Sequence, residues 1–184
     1  GLIGDIKVVL ITLNAKYIHS SLALAYLEEA CRSYSWELET LEFTINDKLD
    51  HIMTRLYRSQ PDVLCFSTYI WNIEETLSLC QDFKNISPQC LIILGGPEVS
   101  YDAAQVLQEH PEIDFIVRGE GEITLRQLLG QILLQGDVNE VRGVSYIHQG
   151  QVKETPDRPL ITDLGSLPSP FRRDFTPYKD RVVY

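Results

Sequence analysis

Gly95-Gly96-Pro97-Glu98 and, further on, Gly119-Glu120-Gly121-Glu122 each follow directly on a short apolar run, residues 90–94 and 113–117. A short apolar run closed by glycines reads as a buried strand ending in a turn. Glycine has no Cβ and tolerates positive φ, so backbone and ligand approach closely there. If both runs are parallel strands, both turns lie at the carboxyl edge of one sheet, where open α/β sheets bind ligands.

Outward from these stretches, strand and helix patterns alternate. Residues 6–13 are a β-branched run suited to a central strand. Residues 20–34 have helical period, with Ala23, Leu27, Ala30, Cys31 and Tyr34 on one face. Residues 36–43 alternate as a half-buried strand: Trp36, Leu38 and Thr40 to one side, Glu37 and Glu39 to the other. Asp47 is placed to cap a helix that turns Leu49, Ile52, Met53 and Leu56 inward. Residues 63–67 form the third strand. Asn72 and Glu75 have capping-box spacing and open a helix with Ile73, Leu77, Cys80 and Phe83, with Pro88 at its end. After strand 90–94, Ser100 is placed to cap a short helix that stops at Pro111. After strand 113–117, residues 123–134 form the fifth helix, with Leu125, Leu128, Leu129 and Ile132 inward.

This alternation predicts parallel pairing through right-handed crossovers. The expected fold is α/β: a three-layer, doubly wound (Rossmann- or flavodoxin-like) five-stranded parallel sheet of order 2-1-3-4-5. Its switch point lies between strands 1 and 3, so the connections after strands 1, 3, 4 and 5 border one crevice. After Gly136 the texture changes. Residues 144–147, Gln149-Gly150-Gln151 and Val152 read as a β-hairpin. Pro156, Pro159, Gly165, Pro168, Pro170 and Pro177 mark an extended connector. Arg181-Val182-Val183-Tyr184 reads as the start of a fresh strand, so the chain is expected to continue into a further domain. The expected division is 1–136 α/β domain, 137–156 hairpin and 157–184 linker.

The 184 residues are 44% hydrophobic, enough for a sizeable core. No apolar stretch approaches membrane-spanning length. Asp5 and Lys7 interrupt the first apolar run, which reads as a strand rather than a leader. A formal net charge of −10 argues against nucleic acid as a main partner, since phosphate binding needs clustered Lys and Arg. The charge is uneven: residues 158–184 hold five basic and three acidic side chains, against about −12 for the rest. Such a tail either packs on its own acidic body or leads to another module. Cys31, Cys65, Cys80 and Cys90 sit among apolar residues, and no pair has Cys-x-x-Cys spacing. They read as buried free thiols in a reducing cytoplasm.

The candidate ligand contacts lie in the four connections. Asn14, Tyr17, His19 and Ser20 follow strand 1, where a helix opens. A helix N-terminus presents free N–H groups to an anion or carbonyl, although His19 and Ser20 are also suited to capping. After strand 3, Ser67 and Thr68 offer hydroxyls, while Tyr69 and Trp71 either cover a flat ring or plug the core. After strand 4, Gly95 and Gly96 leave an open slot whose exit Pro97 stiffens. After strand 5, Glu120 between Gly119 and Gly121 is the better contact. Glu122 suits the helix dipole without any ligand.

This combination resembles the cobalamin-binding domain that precedes the catalytic domain in cobalamin-dependent radical S-adenosylmethionine (SAM) enzymes. The resemblance runs from Lys7 to about Leu134 and continues through the hairpin and the stretch Asp163-Leu164-Gly165-Ser166-Leu167-Pro168-Ser169-Pro170. Ser67-Thr68-Tyr69 and Gly95-Gly96, twenty-seven residues apart, correspond to the family's serine-containing strand-3 loop and its double glycine. The resemblance implies that the nucleotide tail of cobalamin threads between these loops and that the corrin ring lies across the strand ends.

Cobalamin domains of the methionine-synthase type carry Asp-x-His-x-x-Gly after strand 1, with the His on cobalt and the Asp orienting its ring. The matching stretch here is Tyr17-Ile18-His19-Ser20-Ser21-Leu22. Only the His is kept, which makes His19 the candidate cobalt ligand. Tyr17 cannot supply the carboxylate, and many radical enzymes of this group leave cobalt without a protein imidazole.

In the full-length protein the resemblance implies a C-terminal radical SAM domain with S-adenosylmethionine and a 4Fe-4S cluster, and chemistry of the methyltransferase kind. The alternative is a structural or substrate-docking Rossmann-like module of the same enzyme that does not bind cobalamin. The cluster's Cys-x-x-x-Cys-x-x-Cys array is absent from these residues, so this piece does not cleave S-adenosylmethionine by itself. A receiver domain would need an Asp where strand 3 ends on Ser67, and a flavodoxin a tighter phosphate loop than residues 14–21.

Overall fold

Seven strands form one sheet of order β2-β1-β3-β4-β5-β6-β7. The computed structural model describes residues 6–15, 36–119 and 121–159, with Glu122 through its backbone alone. In chain order the elements are β1 (Lys7–Asn14), β2 (Glu37–Thr44), α1 (Leu49–Ser59), β3 (Val63–Ser67), α2 (Ile73–Ile86) and β4 (Leu91–Gly95). Then come α3 (Pro97–Ser100), α4 (Ala103–Glu109), β5 (Phe115–Val117), α5 (Gly121–Leu134), a 3-10 turn (Val138–Glu140), β6 (Val144–His148) and β7 (Gln151–Glu154). The helix expected over 20–34 lies outside the described residues.

β2, β1, β3, β4 and β5 pair in parallel, in the order expected for a doubly wound sheet. The hairpin extends this sheet from five strands to seven. β6 pairs antiparallel with β5, from Val117↔Val144 to Phe115↔Tyr146, and β7 pairs with β6. Its two-residue turn holds Gln149 at φ 52 and Gly150 at φ 77, the twist that suits a tight hairpin. The hairpin thereby covers what would be an open edge of β5.

Alternating side chains send two cores to the two faces of the sheet. Val9, Ile11 and Leu13 of β1, Leu64 and Phe66 of β3, and Ile92 and Leu94 of β4 pack under α1, α2 and α4 through Ile52, Leu56, Leu79, Phe83 and Leu107. Val8, Leu10, Val63, Cys65, Ile93 and Val117 pack on the other face against Leu125, Leu128, Leu129 and Leu133 of α5. Each fully buried aliphatic side chain contributes about 1.5–3 kcal/mol. The central strands are buried on both faces, which is why their sequences run continuously apolar.

Three helix caps differ from the sequence reading, because tertiary partners compete for the same side chains. Asp47 Oδ2 accepts from Thr44 N at 2.8 Å and closes the turn after β2, leaving Lys48 at the N-cap of α1. Asn72 stands at the N-cap of α2 but makes no capping bond. Ser100 is the last residue of α3, and Asp102 precedes α4.

Candidate ligand site at the carboxyl edge of the sheet

The parallel strands all end on one edge, and the sheet reverses its winding between β1 and β3. Thr12 of β1 pairs with Ser67 of β3, Ser67 with Gly95 of β4, and Gly95 with Val117 of β5. In parallel register these four residues share one face, the side on which Leu10, Cys65 and Ile93 also lie. The last row of the sheet is therefore hydroxyl, hydroxyl, glycine, valine. Thr12 is buried, and among the described residues its hydroxyl has no hydrogen-bond partner. Buried hydroxyls are normally satisfied, and an orphan costs about 1–3 kcal/mol.

Asn72 fixes the connection after β3. Its Nδ2 donates to Leu13 O at 3.0 Å and to Ser67 O at 3.2 Å, while its Oδ1 accepts from Tyr69 N at 2.8 Å. Fully buried, this amide ties the ends of β1 and β3 together across the switch point. Trp71 adds a bond from Nε1 to Leu13 O at 3.3 Å. Its ring stacks on Tyr69 with centroids 4.5 Å apart and planes 3° off parallel. Tyr69 packs partly on the core, whereas Trp71 is 43% exposed. The pair thus divides between both sequence readings: one ring plugs, the other lies open at the rim.

The double glycine has a different physical cause from the open slot expected of it. Gly95 O accepts from both Thr68 N, at 2.8 Å, and Thr68 Oγ1, at 2.6 Å. Gly96 has φ 110, and a Cβ on it would stand 2.2 Å from Thr68 O. The missing side chain is the space that the Thr68 backbone fills. Pro97 then starts the single turn of α3. Ser100 Oγ donates to Gly96 O at 2.8 Å and accepts from Gly119 N at 3.3 Å, joining the β4 and β5 connections. Gly119 has φ 72, and a Cβ there would meet nothing within 4 Å, so this turn faces open space.

Of the residues singled out from sequence, Ser67, Thr68, Tyr69, Gly95, Gly96 and Gly119 gather on one edge through this bonding, and Pro97 and Gly121 begin the helices that follow. Asn14 ends β1 beside Thr44, and its carbonyl accepts from Ile45 N at 2.9 Å. Tyr17, His19, Ser20 and Glu120 lie outside the described residues. Among the described residues no three His, Cys, Asp or Glu side chains gather where a metal ion could be held. Sequence reasoning missed Thr12, Asn72 as an organiser and Ser100 as a bridge. Asn72 and Ser100 carried a visible signal, but it was assigned to capping.

The edge also collects apolar surface. Among the described residues, Leu49, Ile70, Trp71, Tyr101 and Ile123 are large, exposed and placed just after strand ends. Tyr101 is 94% and Ile70 78% exposed. Tyr57, Ile86 and Leu134 are also exposed, toward the carboxyl ends of α1, α2 and α5.

Fold and rim together define a ligand-binding α/β domain that works at the carboxyl ends of its strands. Residues 8–129 match the model of the B12 binding domain family, and the chain belongs to that family. An uncharacterized methyltransferase of Pyrococcus horikoshii is 27% identical over 150 residues, 81% of this chain and 32% of that protein. The cobalamin-dependent radical SAM methyltransferase TokK of Streptomyces tokunonensis is 32% identical over 113 residues, 61% of this chain and 17% of its own length. Among solved structures, the cobalamin-dependent SAM radical enzyme OxsB, with aqua-cobalamin and S-adenosylmethionine bound, superposes with a TM-score of 0.70. That match covers 86% of this chain and 23% of OxsB at 22% identity, which speaks for the fold. The chain thus spans a third or less of the relatives it matches. Among the described residues, no helix is long and apolar enough to cross a membrane.

Proposed function

We propose that this chain is the cobalamin-holding module of a radical SAM enzyme of the methyltransferase kind. The observation that carries the reading is the last row of the sheet. At the switch point a buried Thr12 hydroxyl, unpartnered among the described residues, stands in register with Ser67 and Gly95. A polar group of a ligand entering there would satisfy the orphan and meet no side chain at Gly95. The residues present therefore fit a molecule with a polar tail and a broad apolar face.

In this reading Ser67 binds the tail, and Gly95, Gly96 and Pro97 shape the floor beside it. Thr68 acts through its grip on Gly95 rather than as a free hydroxyl. Gly119, Glu120 and Gly121 border the far side, and Asn14, Tyr17, His19 and Ser20 the near side. Trp71, Tyr101 and Ile70 face the ring or what lies above it. His19 is the candidate cobalt ligand. Bound cobalamin supplies the methyl-carrying chemistry, and this chain supplies binding and orientation. We assign 1–136 to the α/β domain, 137–156 to the hairpin and 157–184 to a linker toward a radical SAM domain that brings S-adenosylmethionine and a 4Fe-4S cluster. A reducing cytoplasm suits its buried cysteines.

Titration of the chain with hydroxocobalamin, followed by its visible absorption, tests the proposal. Saturable binding below about 100 μM, equivalent to more than about 5 kcal/mol, is expected. Absence of binding at that concentration returns the reading of a structural or substrate-docking module. The His19→Ala variant should shift the cobalt bands if the imidazole is on the metal; unchanged bands remove His19 from that role.

A further inference from the structure

Arg118 occupies the step between β5 and the glycine turn, and its side chain is only 12% exposed. Its main-chain N donates to Gly143 O at 2.8 Å. Its guanidinium then reaches the hairpin and the root of the connector. Nη1 donates to Ser145 Oγ at 3.2 Å and to Glu154 Oε2 at 2.8 Å. Nη2 donates to Thr155 O and lies 3.1 Å from Asp157 Oδ1. One planar group thus holds β6, β7 and the connector at once, which its rigid fork of donors allows and a lysine ammonium does not.

On the rim side the same residue runs into Gly119, whose N–H binds Ser100 Oγ. Ser100 binds Gly96 O, and Gly95 O binds Thr68. An ion pair, hydrogen bonds and two peptide links (118–119 and 95–96) therefore connect Asp157 through Arg118 to the β3 connection. Nothing within 4 Å would crowd a Cβ at Gly119, so side-chain packing does not hold this residue. Among the described residues, Gly119 is restrained by the adjoining Arg118 anchor and by its bond to Ser100.

We propose that Arg118 is a positioning residue that locks Gly119, at the rim, to the root of the connector at 155–157, so that both are set together. This rests on the functional reading only in taking Gly119 as part of the cofactor rim, and its decisive test needs no cofactor. Glu154 and Asp157 lie outside the rim, so their removal strips Arg118 of its carboxylates while every rim residue stays in place.

Amide hydrogen exchange on the 184-residue chain, without cobalamin, compares wild type with the double variant Glu154→Ala, Asp157→Ala and with Arg118→Lys and Arg118→Met. The Gly119 amide should exchange at least about fivefold faster in the double variant, with β1 and β3 unchanged. Arg118→Lys should fall between wild type and Arg118→Met, a partial rescue. Faster exchange at 155–157 with none at Gly119 overturns the proposal. So does uniform acceleration through β1 and β3, which reports lost global stability. If Arg118→Met does not fold, the carboxylate variant and Arg118→Lys still decide. Failure of the chain to bind hydroxocobalamin would refute the functional reading and leave the exchange result standing.

Discussion

At the scale of single residues, the rim is built from positions where a side chain would be intolerable or where a polar atom lacks its partner. Gly96 is the first kind. Its φ of 110 and the 2.2 Å separation between a would-be Cβ and Thr68 O leave no room for adjustment, since the obstacle is backbone. Gly96→Ala should cost roughly 2–4 kcal/mol in urea unfolding, because strain and collision add. Thr12 is the second kind among the described residues. Ser67, 4% exposed, stands beside it in register. Ser67→Ala should leave the unfolding midpoint nearly unchanged and weaken hydroxocobalamin binding by roughly 3–10-fold, the worth of one hydrogen bond. Equal losses in stability and affinity would place the Ser67 hydroxyl in the core instead of the site.

At the scale of elements, the site depends on β1 and β2 staying fixed relative to α1, and Glu39 is the tie. Its Oε2 lies 2.6 Å from Arg55 Nη2 on α1, and its Oε1 lies 3.3 Å from Lys7 Nζ on β1. Burial alone would raise the Glu39 carboxyl; hydrogen bonds from Arg55, Ser59 and Lys7 outweigh it and hold the carboxyl below its ordinary 4.5. A lowered pKa means the ionised form is favoured by folding, so the contribution is present above 4.5 and fades as pH falls through the folded value. Glu39→Gln should therefore be less stable than wild type at neutral pH. The gap in urea midpoint should close as the pH drops below 4.5. A gap independent of pH would show that lost packing, not charge, is responsible.

At the scale of the whole molecule, the two apolar layers shield the three described cysteines. Cys65, Cys80 and Cys90 are buried. Burial pushes the Cys90 thiol up to about 12, and burial, followed by the nearby Glu112, raises Cys80 as well. Native protein at about pH 8 should protect all three from iodoacetamide, as mapped by mass spectrometry, and urea should expose them together. Alkylation of Cys80 in the native state would contradict the packing of α2. The sequence by itself determined the layers: continuous apolar strands, helical stripes and glycine turns set the parallel order, because period and burial are local properties of the chain. It also marked Ser67, Gly95, Gly96 and Gly119 as rim residues, since strand ends are legible from composition. Tertiary structure alone decided why Gly96 must be glycine, how Asn72 and Ser100 leave capping to bridge connections, and that the hairpin joins the sheet beside β5. Those outcomes depend on partners 19 to 59 residues away, such as Ser100 with Gly119 and Asn72 with Leu13, and no local pattern encodes which partner wins.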